Sequence, residues 1–133
     1  MIVVDSSALI AILRREAEAD NFLRLIAEAD GCLLSSVTWL ETSMVLAGRT
    51  GDAASWTEFD ALITRAGIEV VAQDVGFAEA ARTAFLLYGR GRHPAALNLG
   101  DCASYALAKQ RNLPLLFKGD DFPRTDLQRA DQS

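Results

Sequence analysis

This chain has few of the residues that usually carry nucleophilic or metal-finger chemistry. It contains one histidine, two cysteines and three prolines among 133 residues. A serine nucleophile needs a nearby base, and the one histidine, His93, has no evident partner, so a serine hydrolase is disfavoured. Cys32 and Cys102 lack the spacing of a metal finger, and we predict that both are buried free thiols.

Long apolar runs and a secretory start are also missing. No apolar stretch approaches the roughly 18 residues that span a membrane. The first residues lack the basic start and small-residue cleavage site of a signal peptide. Together with the free thiols, these absences predict a protein of the reducing cytoplasm, with no membrane partner.

Positive charge is scarce as well. The chain has 13 Lys and Arg against 18 Asp and Glu, a net charge of -5, which is opposite to the usual footprint of a nucleic-acid binder. An acidic metal pocket would explain part of the excess, because bound cations would locally reverse it. Half of the residues are hydrophobic, so we predict one domain spanning residues 1–133, with a polar tail after about residue 123.

Short apolar runs alternate with helical patterns along the chain. The runs lack an in–out alternation, as expected for strands buried on both faces. We predict strands at residues 1–4, 32–34, 68–72 and 115–117. Helices are predicted at residues 6–13, 16–28, from a cap at Ser36 or Thr38 to 47, 53–66, 75–88 and 100–110. This order predicts a three-layer α/β/α domain with a central parallel sheet of four to five strands, the fifth being a short edge strand near residues 126–127.

Acidic residues follow two of the strands and stand near the starts of two helices. Asp5 follows the first strand, and Asp120 and Asp121 follow the last. Glu41 and Asp101 fall near the starts of two helical patterns. Because strand ends of an open parallel sheet converge on one crevice, we expect these carboxylates to lie together. Clustered carboxylates repel, and Mg²⁺ prefers oxygen ligands, so the pattern predicts metal-dependent chemistry on a phosphate group.

Each acid alone also has an ordinary structural explanation. Asp5 could cap the helix that follows it, and Asp101 could belong to an ordinary helix start. Glu41 could be a first-turn residue favoured by the helix dipole. Asp120 and Asp121 could form a plain turn. The position of all of them at one edge of the sheet favours a shared site.

Other phosphate-handling proteins fit this sequence less well. The first strand leads into Asp5, Ser6 and Ser7 instead of a glycine-rich phosphate loop. A phosphatase with a covalent aspartyl intermediate would need a second acid shortly after Asp5, where Ser7 and Ala8 stand. The sequence therefore favours a metal site built from separate carboxylates.

Four segments resemble the motifs of PIN-domain ribonucleases, specifically the VapC-type toxins of toxin–antitoxin pairs. The segments are residues 4–9 (VDSSAL), 40–41 (LE), 99–108 (LGDCASYALA) and 115–126 (LLFKGDDFPRTD). They follow the family's order over nearly the whole chain, and the last two are fairly specific. Ser6 stands where Thr is commoner in the family, and it keeps the hydroxyl group.

The resemblance implies a fold, a reaction and a set of site residues. The implied catalytic and metal-binding acids are Asp5, Glu41, Asp101 and Asp121. Asp121 is favoured over Asp120 because the family's acid usually stands directly before the Phe, and Ser6 would orient Asp5 or a water. The implied reaction is cleavage of structured RNA, often tRNA or ribosomal RNA, with one or two Mg²⁺ or Mn²⁺ ions. The implied partners are a second copy of the chain and a cognate VapB-type antitoxin whose C-terminal segment wraps the toxin.

Side chains outside the acidic set are candidates for binding surfaces. Arg90, Arg92 and His93 could grip the RNA backbone, although ordinary solvated charges explain them equally well. Trp39 is predicted to fill the core or a dimer interface rather than to stack a base. Aliphatic faces on the first helices and around residues 44–46 would supply dimer and antitoxin contacts.

A rival function is a binding or signalling module with the same fold. Such a module would be a catalytically silent PIN-like domain, or a receiver-like acid pocket in which Lys118 stands at a strand end. A nuclease that works through His93 without metal is a third alternative. Chelation separates these alternatives, because a metal nuclease stops in EDTA and a histidine-based nuclease continues.

Overall fold

A four-stranded parallel sheet forms the centre of the protein in the computed structural model, which describes residues 1–51 and 53–131. The strands are β1 (Ile2–Val4), β2 (Cys32–Ser35), β3 (Ile68–Val71) and β4 (Leu115–Leu116). Their order is β3-β2-β1-β4, and every neighbouring pair is parallel. The predicted α/β/α class with a parallel sheet is therefore confirmed, with four strands.

Helices connect the strands and cover both faces of the sheet. They are α1 (Ser6–Leu13), α2 (Ala19–Glu28), α3 (Ser36–Thr50), α4 (Ala54–Arg65), α5 (Val75–Tyr88) and α6 (Leu99–Arg111), followed by a short 3₁₀ helix, Phe122–Arg124. In the described part of the chain, none of the helices is both long and apolar enough to cross a membrane.

Two hydrophobic cores lie on opposite faces of the sheet, because successive strand residues point in opposite directions. One core packs the sheet against α1, α2 and α4 through Val4, Leu34, Leu9, Phe22 and Phe59. The other packs it against α5 and α6 through Val3, Leu33, Leu115, Ala84 and Leu107. Cys32 and Cys102 are buried free thiols, one in each core, as predicted. Helices on both faces leave the carboxyl ends of the strands as the open edge.

Helices α2 and α3 show the largest departures from the prediction, and α3 also runs to Thr50 instead of ending at residue 47. Helix α3 is capped by Ser35, whose hydroxyl accepts the amide of Val37 at 3.3 Å, and not by Ser36 or Thr38. Ser35 ends β2 with an extended backbone, so it suits the cap position. Helix α2 begins at Ala19 instead of residue 16, because Arg15 adopts a left-handed conformation with φ 55° that interrupts the helix.

The C-terminal segment is bound to the sheet, whereas the sequence pattern predicts a polar tail and a short strand near residues 126–127. The predicted strand is wrong in position, because the bridge to β4 joins Leu115 to Arg129. The amide of Leu115 donates to the Gln128 carbonyl at 2.9 Å, and the amide of Ala130 donates to the Leu115 carbonyl at 2.9 Å. Residues 132–133 of the predicted tail lie outside the described residues.

Candidate functional site

Asp5 is the most deeply buried acid of the predicted set. It follows β1, is 1% exposed, and caps α1 by accepting the Ser7 amide at 3.1 Å. The same oxygen, Oδ2, accepts the Ser7 hydroxyl at 2.7 Å, and Oδ1 accepts the Ser104 hydroxyl at 2.6 Å. Ser104 in turn lies 3.1 Å from the buried Thr38 hydroxyl. Asp5 therefore caps α1 and also belongs to the acidic site. Hydrogen bonds from Ser7 in α1 and Ser104 in α6 fix its orientation.

Glu41 extends from α3 toward the same region and is half-buried. Burial raises the pKa of its carboxyl, the Ser6 hydroxyl opposes that shift by donating to Oε1 at 3.0 Å, and the charge of Asp5 adds to it. A β-carbon placed on Gly100 would collide with the Glu41 carboxylate. The missing side chain at Gly100 is therefore what admits Glu41 at the start of α6.

Asp101 occupies the first turn of α6 and belongs to a capping box. Its amide donates to Asn98 Oδ1 at 2.9 Å, and its Oδ2 accepts the Asn98 amide at 3.0 Å. Burial and, after it, the negative charges of Asp5, Glu41 and Asp121 together raise the pKa of Asp101 to about 7, although the hydrogen bond from Asn98 opposes the shift. The carboxylates are close enough to disfavour one another's ionisation.

The two candidates for the fourth acid point to different surroundings. Asp121 lines the cavity that contains the other acids, and its charge contributes to the raised pKa of Asp101. Asp120 is not among the residues that line this cavity, and its charge contributes to the raised pKa of Arg129 in the C-terminal segment. The geometry therefore groups Asp121, and not Asp120, with the remaining acids.

One cavity of about 320 Å³ collects the predicted acids at the carboxyl ends of β1 and β4. Its lining residues are Asp5, Ser6, Ser7, Ile10, Glu41, Val45, Asn98, Asp101, Lys118, Asp121 and Phe122. Asp5 and Asp121, which lie 116 residues apart in sequence, therefore share one cavity. Ser6 contacts Glu41 instead of Asp5, the acid that it was expected to orient, and Ser7 is the hydroxyl that holds Asp5.

The cavity suits a hard divalent cation in the kind and charge of its donors. Mg²⁺ and Mn²⁺ take carboxylate oxygens, and a cation would offset the repulsion that raises the pKa of Asp101. Within residues 1–51 and 53–131, no three His, Cys, Asp or Glu side chains are grouped closely enough to hold an ion as they stand. Ligation therefore needs side-chain rotation of acids such as Glu41, which is only half-buried.

The Arg-rich loop lies apart from the acids. Arg90, Arg92 and His93 are absent from the residues that line the acidic cavity. The His93 ring meets Tyr88 edge-on at 5.0 Å, and its Nδ1 accepts the Ala95 amide at 3.0 Å. His93 therefore supports the loop, while Arg90 and Arg92 are exposed.

Apolar side chains are exposed on α3. Trp39 is 37% exposed and Met44 is 64% exposed, so the prediction that Trp39 fills the core is wrong, and its role at an interface stays a prediction. A larger groove of about 680 Å³, lined by α2 and α4 with Leu23, Ile26 and Leu62, lies among helices away from the acids. Both are exposed apolar surfaces that a partner could cover.

Some residues of the site could not be recognised from the sequence pattern alone. Ser104 donates a hydrogen bond to Asp5, which lies 99 positions earlier in the chain, and no local pattern predicts that contact. Asn98 was predictable, because Asn followed three residues later by an acid before an apolar run is typical of a capping box. Gly100 stands beside Asp101 in the motif, but its reason, the space for Glu41, is visible only in three dimensions.

Comparisons with known proteins cover nearly the whole chain. The family model of the PIN domain matches residues 2–127. Ribonuclease VapC30 of Mycobacterium tuberculosis is 46% identical over 126 residues, which cover 94% of this chain and 95% of that protein. Ribonuclease VapC of Mycolicibacterium smegmatis is 45% identical over 125 residues, which cover 94% of this chain and 96% of that protein.

Solved structures share the fold at lower sequence identity. The structure of Mycobacterium tuberculosis VapC20, described as a sarcin–ricin loop cleaving toxin, superposes with a TM-score of 0.73 at 20% identity and covers 96% of both chains. A toxin–antitoxin complex from Klebsiella pneumoniae gives a TM-score of 0.68 at 24% identity, covering 92% of this chain and 90% of that one. At these identities the likeness supports the fold alone.

Proposed function

The chain belongs to the PIN-domain family, and from that premise we propose that it is a metal-dependent endoribonuclease, the toxin of a toxin–antitoxin pair. The observation that carries the proposal is the cavity in which Asp5, Glu41, Asp101 and Asp121 meet at the carboxyl ends of the parallel strands. Ribonuclease is the activity named for relatives that match this chain over nearly its full length.

The four acids would hold one or two divalent cations once side chains such as that of Glu41 rotate, with Mg²⁺ as the proposed ion and Mn²⁺ as a substitute. When bound, such a cation makes water a better nucleophile at neutral pH and offsets negative charge on the phosphate. The protein's own part is to fix the ligands. Ser104 and Ser7 hold both oxygens of Asp5, Ser6 holds Glu41, and Asn98 holds Asp101.

RNA enters along the open edge of the sheet, where a water attacks the scissile phosphorus in line with the leaving ribose oxygen. The bond between phosphorus and that oxygen breaks, and the leaving oxygen takes up a proton. One product therefore carries a new phosphate end and the other a new hydroxyl end. Arg90 and Arg92 are exposed outside the cavity, so we assign them to the flanking RNA backbone and not to the reacting group.

The proposed protein partners are a VapB-type antitoxin and a second copy of the chain. The aliphatic groove lined by α2 and α4 and the exposed side chains of α3 are the surfaces offered to them. Co-expression with the product of an adjacent antitoxin gene should yield a stable complex that suppresses cleavage. Separate elution of the two proteins on size exclusion would refute this pairing.

Cleavage of total tRNA and ribosomal RNA by the purified, antitoxin-free protein tests the activity. We expect discrete fragments with Mg²⁺ or Mn²⁺, none in excess EDTA, and none from the Asp101→Asn variant. Asn preserves the acceptor that the Asn98 amide needs, so this variant keeps the helix start and removes only the charge. Fragments that persist in EDTA would exclude a metal nuclease and favour chemistry at His93. No cleavage by folded protein in any condition would favour the binding-module alternative.

A further inference from the structure

Lys118 stands out because it brings positive charge to a cavity built of acids. It lies two residues after the end of β4, and among the described residues that line the cavity it is the one cationic side chain. An acidic crevice in a chain of net charge -5 repels the phosphates of RNA. A cation at this cavity can attract the phosphate groups that the acids repel.

The backbone of Lys118 is tied to the acidic set. Its amide donates to the Ser7 hydroxyl at 3.0 Å, and that hydroxyl donates to Asp5 Oδ2 at 2.7 Å. The start of the Lys118 side chain therefore keeps a fixed position relative to Asp5.

The ammonium of Lys118 is held from the other side by two carboxylates. Glu16 lies 3.2 Å and Glu18 lies 3.0 Å from Nζ. Both acids belong to the turn between α1 and α2, where the left-handed backbone of Arg15 redirects the chain. The hydrogen bonds with Glu18 and Glu16 raise the pKa of Lys118, whose ammonium is charged at neutral pH even without them.

The ammonium of Lys118 remains open to solvent beside the glutamates. Three carboxylate oxygens lie within 3.2 Å of Nζ, namely both oxygens of Glu16 and Oε2 of Glu18. The Lys118 side chain is nevertheless 40% exposed, so a phosphate can approach the ammonium from the solvent side. Exposed ion pairs add little stability, which makes a purely structural role for this cluster a weak explanation.

We infer that Lys118 binds a backbone phosphate of the RNA substrate at the mouth of the acidic cavity, and that Glu16 and Glu18 are positioning residues for its ammonium. The inference rests on the proposed ribonuclease function and names a substrate-binding residue for it. Lys118 acts as a point charge on phosphate, so it anchors RNA without selecting bases.

Binding of a fluorescein-labelled single-stranded RNA of about 20 nucleotides, followed by anisotropy in EDTA, tests Lys118 without cleavage. Lys118→Met should weaken binding by about fivefold to tenfold near 100 mM salt and lower the salt slope by about 0.7, the value for one phosphate contact on a single strand. Lys118→Arg should retain most of the affinity, because it keeps the charge.

Lys109 provides a matched control, because it is the other lysine of the chain and pairs with one carboxylate, Asp126, at 3.0 Å. Its side chain is 45% exposed, close to the exposure of Lys118, but it lies outside the cavity lining. Lys109→Met should leave the affinity and salt slope unchanged. Equal losses in the two methionine variants, or no loss in Lys118→Met, would overturn the inference.

Cleavage of bulk tRNA with Mg²⁺ separates this inference from the proposed function. Lys118→Met should raise KM by about fivefold to tenfold with a smaller change in kcat, because the contact is made in the bound ground state. A wild-type protein that cleaves, with a Lys118→Met variant of unchanged KM, would refute the role of Lys118 and leave the nuclease standing. A wild-type protein that binds RNA but cannot cleave it would refute the nuclease function. The anisotropy measurement would still test whether Lys118 binds RNA.

A double-mutant cycle tests the two glutamates. The combined Glu16→Gln and Glu18→Gln variant should raise KM by about threefold when Lys118 is present, because the ammonium loses its fixed position. The same pair of substitutions should not raise KM in the Lys118→Met background, because there the loss of two negative charges only favours RNA binding. An equal effect in both backgrounds would show that the glutamates act independently of Lys118 and would overturn the positioning role.

Discussion

The two sides of the acidic cavity are constructed differently. On the inner side, Asp5 is buried and both of its oxygens accept hydrogen bonds from Ser7 and Ser104. On the outer side, Asp121 and Lys118 are exposed on the segment that follows β4. Hydrogen bonds from two helices fix Asp5 on the inner side, whereas the exposed side chain of Asp121 on the outer side can adjust to a ligand.

The two sides of the cavity are therefore suited to different tasks. The inner carboxylates are held before any ligand arrives, which limits the reorganisation needed at the reacting phosphate. Burial, followed by the charges of Asp5, Glu41 and Asp121, raises the pKa of Asp101 on that side to about 7. The outer side supplies an adjustable acid, Asp121, and the one cationic residue among the described residues that line the cavity.

The largest expected effect concerns the fourth acid on the outer side. Asp121→Asn should lower the rate of RNA cleavage by roughly a hundredfold, because it removes a charged cation ligand. Asp120→Asn should lower the rate by about threefold or less, because its charge acts on Arg129 and not on the cavity. Initial rates on the same RNA at saturating Mg²⁺ compare the two variants. A larger loss of cleavage rate in Asp120→Asn than in Asp121→Asn would identify Asp120 as the fourth acid.

The next prediction tests how tightly the inner side is packed. Gly100→Ala should lower cleavage by about tenfold or more, because the new β-carbon collides with the Glu41 carboxylate and displaces it. Gly48→Ala is the matched control, since Gly48 is also helical and its β-carbon would meet open space. That control should gain about 0.5–1 kcal/mol in urea unfolding and cleave normally. Equal cleavage by both variants would contradict the packing argument.

A smaller effect is expected from the support behind Asp5. Ser104→Ala should lower cleavage by about tenfold and the free energy of unfolding by about 1–3 kcal/mol, because it leaves a buried carboxylate oxygen without its donor. Ser43→Ala serves as the comparison, since the Ser43 hydroxyl donates only to the Trp39 carbonyl in its own helix. Urea denaturation with cleavage rates measures both, and equal losses in the two variants would show that Ser104 has no special role.

The smallest effect is a dependence of stability on pH in metal-free protein. The pKa of Asp101 rises from 3.8 to about 7 on folding, so the unfolded chain releases its proton at lower pH. Stability should therefore fall as pH rises from about 4 to 7 and level off above the folded pKa. Because Asp101 is partly exposed, we expect a loss of about 1–2 kcal/mol between pH 5 and 7.

Urea unfolding in EDTA at pH 5, 6, 7 and 8 checks this dependence. Asp101→Asn should flatten the pH profile, because the neutral amide removes the titrating group and keeps the acceptor for Asn98. Added Mg²⁺ should stabilise the wild-type protein more at pH 8 than at pH 5, where Asp101 is protonated. Parallel pH profiles for the wild type and the variant would assign the dependence to other groups.

Local sequence signals predicted most of the fold. The apolar runs gave the four strands, and the cap at Asp74 correctly marked the start of α5. The boundaries that failed depend on features without a local signal, such as the left-handed turn at Arg15 that delays α2. The C-terminal segment failed for a different reason: its hydrogen bonds to Leu115 are long-range, so its polar composition does not reveal them.

The candidate site was predictable to the extent that topology determines it. Parallel strands bring their carboxyl ends together, which is why Asp5 and Asp121 could be placed in one crevice from the order of elements. The hydroxyl contacts could not be assigned, because Ser6 and Ser7 are adjacent in sequence and only the backbone geometry sends one to Glu41 and the other to Asp5. The catalytic roles of these acids stay predictions.

The attachment of the C-terminal segment also protects the protein from self-association. A strand at the border of a sheet exposes unpaired amides and carbonyls, and these invite pairing with another chain. At β4 the segment around Gln128 and Ala130 takes up the main-chain groups of Leu115. Cutting the chain after Arg124 would uncover that border, so a truncated protein should aggregate through β4 even with every acid of the cavity intact.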